Sequence, residues 1–458
     1  MDVIETVREE NPLGKKKVGK LLAEFAIPSI IAMVVSSLYN MVDQIFIGQG
    51  VGYLGNAATN VSFPLVTICM SLTLSIGIGS ATQFSLSLGR KQEKEAEKVA
   101  GSAVLMMILF GTLYLVLVEI FMTPLLGLFG GTPEIMPYAV DYTRIVAIGF
   151  PFLMMQNGIC NLARADGSPR FSMLAMLVGA VINTILDPIF IFPLQMGVKG
   201  AAIATIIGQI ASCLVALTYL KRFRRITLKR EDFTLSFRRI GRTFVFGMSH
   251  GLTQLAITLV QVVMNQSLVY YGAASLYGSE IPLAAAGIVM KVNGIILAVY
   301  IGIAQGMQPI VGYNYGASHY QRVRKTYYLC VAADFLIGLA GLIVFQLFPE
   351  AVLALFGTGD QLYMDFSVRF IRTFLLLLPL NGIQMLSSNL FSAIGKPVKG
   401  TLLSLTRTTF ILIPMMLLLP LAFGIQGLLI SAPITDGICF TLTAFFIVKE
   451  LRRMKREE

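Results

Sequence analysis

Charge is scarce in this chain. Charged side chains make up only 13% of its 458 residues and hydrophobic ones 55%, whereas ordinary soluble domains are roughly 25% charged. That balance excludes a water-soluble globule. Histidine occurs twice and cysteine five times. No HExxH pattern, paired-cysteine ligand spacing or serine-histidine arrangement is present, and the GxG pieces lie inside apolar runs instead of following a Rossmann strand. No enzyme and no cofactor is expected from such a set. The cysteines, Cys69, Cys160, Cys213, Cys330 and Cys439, all fall within apolar runs. An odd number at that depth argues against a disulfide framework and for small packing residues. The opening MDVIETVREENPLGKKKVGK has no short apolar core followed by a small-residue cleavage site, so no cleaved leader is expected.

What the chain does contain is long apolar runs. LLAEFAIPSIIAMVVSSLYNMVDQIFIG and VAGSAVLMMILFGTLYLVLVEIF each reach the ~20 residues a helix needs to cross ~30 Å of hydrocarbon. Reading such runs against polar breaks gives twelve spans, near 21–48, 60–88, 99–123, 135–162, 171–193, 200–220, 243–271, 282–313, 326–348, 362–390, 401–421 and 425–447. The fold class is therefore an all-α integral membrane protein. Lys and Arg collect in alternate connections: KKKVGK, GRKQEKEAEK, RADGSPR, KRFRRITLKREDFTLSFRRIGR, SHYQRVRK, GKPVK and KELRRMKREE. The connections between them carry almost none, which predicts both termini in the cytoplasm. The net charge of +11 then reads as topology and contact with lipid headgroups, with no nucleic-acid partner expected.

The two sides of the basic connection resemble each other. NLARADGSP (161–169) pairs with NLFSAIGKP (389–397), PFLMMQ (151–156) with PLNGIQ (379–384), FPLQMGVKG (192–200) with LPLAFGIQG (419–427), and LLGLFG (125–130) with VLALFG (352–357). This predicts an N-lobe over 1–220, a cytoplasmic connection over 221–242 and a C-lobe over 243–458. The lobes are expected to be parallel repeats with a central cavity between them, an architecture of transporters. Pro28, Pro151, Pro188, Pro309, Pro379, Pro414 and Pro433 fall inside spans and are expected to shape helices.

Polar residues at membrane depth are the functional candidates. From Lys20, Asp43 is ~23 residues or ~35 Å along the first span, and from Arg170, Asp187 is ~17 residues or ~25 Å along the fifth. Both belong to the same leaflet, and Thr205 enters the sixth span from that side. Tyr39 precedes Asp43 by four residues and Asn183 precedes Asp187 by four, so each pair shares a helix face. An ionised aspartate near the membrane centre costs on the order of 3 kcal/mol, and two close together favour uptake of a cation. Side-chain oxygens suit either H⁺ or Na⁺. Asn157 and Asn161 share a face of the fourth span beside Gln156, and Lys291 in GIVMKVNGIIL has no acid adjacent in sequence. For Lys291 an ion pair across the cavity, snorkelling and charge selection all stand open. Asp436 and His250 carry less weight. At the offset of the FPLQMGVKG match, Asp187 falls on Pro414 and Thr205 on Ala432, so the ion site is expected in one lobe only.

FAIPSIIAMVVSSLYNMVDQIFIG, NLARADGSP, VINTILDPIFIFPLQMGVKGAAIATIIGQ and the echo NLFSAIGKP together resemble the multidrug and toxic compound extrusion (MATE) family, in its prokaryotic branch, across essentially the whole chain. The resemblance implies two six-helix lobes in a V, a prokaryotic plasma-membrane location, and export of amphipathic organic cations in exchange for H⁺ or Na⁺; a two-lobe cavity within one chain further leads us to expect a functional monomer. It also implies a cation site at Asp43, Asn183, Asp187 and Thr205, the Na⁺ ligands if sodium is the coupling ion, with Tyr39 and Asn157 as further members. Asn161, Gln156 and Lys291 remain candidates for substrate contact or gating. Other members use acids in the seventh and tenth spans, and here the seventh and the core of the tenth contain no carboxylate. Alternatives from the residues alone are export or flipping of a lipid-linked or anionic metabolite, and a receptor or scaffold without flux.

Overall fold

The computed structural model of the chain describes residues 12–51, 53–129, 131, 133–354 and 361–458, and among these there is no strand. Eleven helices are long and apolar enough to cross a membrane, and a bent pair of helices makes a twelfth span. The N-lobe comprises α1 (Val18–Val51), α2 (Tyr53–Gly89), α3 (Glu93–Leu128), α4 (Met136–Ala165), α5 (Pro169–Ile191) and α6 (Gly197–Leu217). The C-lobe comprises α7 (Phe237–Ala273), α8 (Glu280–Gly316), α9 (Tyr320–Leu347), α10 (Gln361–Phe374 and Leu378–Ala393), α11 (Pro397–Phe423) and α12 (Ile425–Arg456). All five cysteines are buried and free.

The expected tenth span is continuous over 362–390, but α10 bends by 47° between its two segments. Pro379 has no N–H to give the Leu375 carbonyl and its ring crowds that carbonyl, so the chain opens at 375–377 before the second segment begins. Pro414 acts differently. It follows a π-helical stretch, Thr406–Leu412, inside α11, where the widened turn absorbs the missing backbone donor. In α3 the backbone leaves helical geometry at Phe121, just before Pro124.

The repeat is visible in the packing as well as in the sequence. A Cβ on Gly111 would meet the Pro151 backbone at 2.7 Å, and one on Gly338 would meet the Pro379 backbone at 2.6 Å. The same small residue therefore seats the third helix of each lobe against the proline of the fourth. The LLGLFG and VLALFG pair runs into Gly130 and residues 355–357, which lie outside the described residues.

The lobes join at the end that carries the termini. Leu13, Leu21 and Met454 share one apolar cluster, and α1 meets α8 there with Gly302 against Ile30 and Gly306 against Ala26. Gly247 of α7 lies against the Ser75 backbone of α2 closely enough that any side chain would collide. Small residues at these crossings let backbones approach to where dispersion and side-chain hydrogen bonds act. Ser71 Oγ donates to the Gly251 carbonyl at 2.9 Å, Gln83 Nε2 to Thr243 Oγ1 at 3.0 Å, and Gln308 Nε2 to Thr82 Oγ1 at 2.9 Å. This shared base is the vertex of the expected V.

At the same end, the basic connection is strapped to the N-lobe. Buried Asp166 accepts hydrogen bonds from Tyr219 Oη at 2.8 Å and from the backbone N–H groups of Arg224 at 2.6 Å and Arg225 at 3.2 Å. Burial outweighs those bonds and raises its carboxyl to about 6. Ser102 Oγ of α3 donates to the Thr234 carbonyl, and Arg239 Nη1 reaches both Ser102 Oγ and Thr234.

Candidate cation site in the N-lobe

The site forms because α5 and α6 touch backbone to backbone. A Cβ on Gly208 would sit 2.7 Å from the Gly179 carbonyl oxygen and 3.2 Å from Asn183 Cβ. With no side chain on either glycine, the helices close up and Asn183 Nδ2 lies 3.4 Å from Thr205 Oγ1. The same amide donates to Asp187 Oδ1, one turn further on, at 3.2 Å. From α1, Asp43 brings its carboxyl within hydrogen-bonding reach of Asp187. Two carboxyl groups bond to each other only when a proton lies between them.

Enclosure makes this arrangement consequential. Asp43 is 9% exposed, Asn183 3% and Asp187 1%. Asp43 Oδ1, Asn183 Oδ1 and Asp187 Oδ2 are buried with no hydrogen-bond partner among the described residues. An unsatisfied buried polar group costs about 1–3 kcal/mol, more when charged. These three acceptor oxygens, supplied by two helices, form a set that a proton or a small monovalent cation would satisfy. A divalent site is a poorer fit: among the described residues no group of three or more His, Cys, Asp or Glu could hold a metal ion.

A cavity of about 80 Å³ opens beside these groups, lined by Ser36, Tyr39, Gln156, Asn157, Thr205 and Gln209 among others. It has room for water and an ion, while drug-sized ligands occupy roughly 300–1,000 Å³. A drug-sized molecule therefore does not fit in this cavity as it stands. Tyr39 stands within electrostatic range of both aspartates. Asn157 Nδ2 donates to the Leu153 carbonyl and to Gln156 Oε1, each at 3.1 Å.

The candidates outside this group have other partners. Asn161 Oδ1 accepts from Arg164 Nη2 at 2.7 Å, and Arg164 continues to Ser172 Oγ at 2.9 Å, so Asn161 belongs to a buried network that joins α4 to α5. Lys291 is exposed on α8 and makes no hydrogen bond or ion pair among the described residues. His250 Nε2 is 2.6 Å from Asn389 Oδ1, and Asp436 Oδ1 pairs with Arg407 Nε at 2.8 Å.

Two residues at or near the site escaped the sequence reading. Tyr142 of α4 is buried within electrostatic range of Asp43, Asp187 and Tyr39. Gln209 follows Thr205 by four residues on α6, and its Oε1 is buried without a partner. The rule that pairs residues four apart would have found Gln209. Tyr142 required knowing which face α4 turns toward α1.

Comparison with known proteins identifies the family and the fold. The MatE family model matches residues 28–189 and 251–418. Over 96% of this chain and 95% of its own length, the multidrug export protein MepA of Staphylococcus haemolyticus (strain JCSC1435) is 26% identical. MepA of Staphylococcus aureus (strain NCTC 8325 / PS 47) is 25% identical over the same shares. Among solved structures, a MATE protein in complex with MaL6 superimposes with a TM-score of 0.91 at 24% identity, covering 97% of this chain and 99% of that one. A MOP superfamily transporter from Pyrococcus furiosus Vc1 (DSM3638), described as having a binding pocket of reversed polarity, superimposes with a TM-score of 0.90 at 23% identity over 97% and 98%. With both halves matched and the same fold in each neighbour, the chain belongs to the MatE family of multidrug and toxic compound extrusion transporters.

Proposed function

We propose that this multidrug efflux transporter is an antiporter that exports amphipathic organic cations in exchange for H⁺ or Na⁺ bound at Asp43 and Asp187. The observation that carries the reading is the pair of buried carboxyls in mutual reach, with partnerless oxygens on Asp43, Asn183 and Asp187. In the cycle, cargo occupies the space between the lobes. Asp43 and Asp187 take up the coupling cation from outside, Asn183 and Thr205 hold Asp187 in position, and the cation is released on the opposite side after the lobes rock about their shared base. The cation must prefer one of the two states, because equal affinity for both shifts nothing. The basic end faces the cytoplasm of a prokaryotic plasma membrane, lipid surrounds the lobes, and one chain suffices because both lobes are in it.

Unpaired, exposed Lys291 favours a second reading, in which the cargo carries a negative group. Both readings meet in one experiment: purified protein in liposomes, with ethidium or an anionic dye as cargo, under H⁺ and Na⁺ gradients imposed separately. Ethidium flux driven by one gradient, and lost in Asp43→Asn and Asp187→Asn, supports the cation antiporter and names the ion. Flux unchanged in both variants refutes the carboxylate role, and anionic-dye flux that is lost in Lys291→Ala replaces the first reading with the second.

A further inference from the structure

We propose that Asp334 in the C-lobe is a second proton-binding site, separate from the N-lobe pocket and exchanging its proton during the conformational cycle. Asp334 lies near the middle of α9, is 1% exposed, and both of its carboxyl oxygens are buried without a hydrogen-bond partner among the described residues. The titratable groups within electrostatic range are Cys330 and Tyr327 on its own helix and Tyr300 from α8. Tyr327 Oη is engaged with Ser387 Oγ of α10 at 2.7 Å, and Tyr300 Oη donates to the Leu378 carbonyl at 3.2 Å. Asp436 of α12 also lies within range of Tyr300 but is neutralised by Arg407.

Among the described residues no cationic side chain pairs with Asp334, and a buried ionised carboxylate is costly without one. Among the described residues no group of three or more His, Cys, Asp or Glu that could hold a metal ion includes Asp334, and one carboxylate falls short of the several oxygen ligands that a hard cation takes. The ligand that fits is a proton.

The repeat indicates that packing does not require an acid there. Gly111 and Gly338 occupy equivalent places against Pro151 and Pro379. Counting back four residues from each sets Asp334 opposite Met107, which is 1% exposed and packs on Gly158. One lobe fills the position with an apolar side chain. The other fills it with a carboxyl that makes no bond and costs stability unless protonated. From Asp334 a face of α9 runs through Cys330 and Tyr327 toward the end bearing the termini, and that is the direction in which the proton would leave to bulk water when the lobe rearranges.

The test is infrared difference spectroscopy on the purified, lipid-reconstituted chain, following the carbonyl stretch of protonated carboxyl groups with and without ethidium and from about pH 6 to about pH 10. Asp334→Asn, Asp334→Met and an Asp43→Asn/Asp187→Asn double variant are measured alongside. The expected result is a band lost in both Asp334 variants, retained in the N-lobe double variant, and diminished by ethidium or by rising pH. Asp334→Met, which copies the N-lobe, keeps the fold if Asn does not. A band that is absent from the parent, or insensitive to both ethidium and pH, overturns the proposal. Because the band is read in the N-lobe double variant too, failure here is distinct from failure of the antiport reading.

Discussion

The same place in the two lobes holds opposite solutions to one electrostatic problem. In the N-lobe, Ala180 and Gln209 line the small cavity and the acids nearby have no built-in counter-charge. At the repeat offset set by FPLQMGVKG and LPLAFGIQG, Ala180 corresponds to Arg407 and Gln209 to Asp436. Those two form an ion pair at 2.8 Å in which Asp436 is buried and Arg407 partly so. The backbone follows the side chains. Gly179 and Gly208 let α5 and α6 touch, whereas their counterparts are Thr406 and Thr435, and Thr406 begins the π-helical stretch of α11. A permanent cation satisfies the C-lobe acid. Asp43 and Asp187 have no such partner, and on the antiport reading proposed above that difference makes them the pair that takes up the coupling cation.

Breaking the C-lobe pair alone tests whether it is purely structural. Arg407→Met leaves Asp436 buried and unpaired and is expected to lower stability by about 3–5 kcal/mol, read as a fall in Tm. Arg407→Met combined with Asp436→Met should recover most of that loss, and the recovered protein should still transport ethidium. Loss of coupling in a stable double variant would mean that the C-lobe pair participates in ion exchange.

A smaller effect is expected from separating α5 and α6. Gly208→Ala forces the helices apart by tenths of an ångström at a contact of 2.7 Å, weakening the link between Thr205 and Asn183. Gradient-driven flux should fall about tenfold, the effect of roughly 1.4 kcal/mol. Gly241→Ala, where nothing lies within 4 Å, should leave flux as in the parent.

The smallest effect lies outside both pockets. Asp166 has its carboxyl raised to about 6 by burial, above the ordinary value near 3.9. A raised folded-state value favours the folded form most at low pH, so this contribution is full below about pH 4 and is lost as the pH climbs through about 6. Asp166→Asn should flatten the dependence of Tm on pH across that window and leave the ion specificity of transport unchanged.

Much of this was legible because the membrane makes polarity expensive. Span length gave twelve crossings, and the cost of charge at depth singled out Asp43 and Asp187, with Asn183 and Thr205 following from helix spacing and depth. The bend in α10 was not legible. Pro151 and Pro379 are the same residue at the same repeat position, yet α4 stays continuous over one and α10 opens before the other. The proline loosens the turn before it in both lobes, so it permits the opening without by itself requiring it. Tyr142 and Gln209 are neutral and raise no alarm in a sequence. Asp334 stands on the ninth span opposite a methionine of the other lobe, so the repeat gives no sign of it.

The measurement that tests the central claim most directly is cation binding to the purified chain. Na⁺ is titrated calorimetrically at alkaline pH, with proton release by the protein followed in parallel, for the parent, the Asp43→Asn/Asp187→Asn variant and the Arg407→Met/Asp436→Met variant. The account predicts that monovalent-cation binding, or proton release in its place, is lost at the N-lobe site in the first variant and kept in the second. Binding and release unchanged in the N-lobe variant, or lost only in the C-lobe variant, would contradict it.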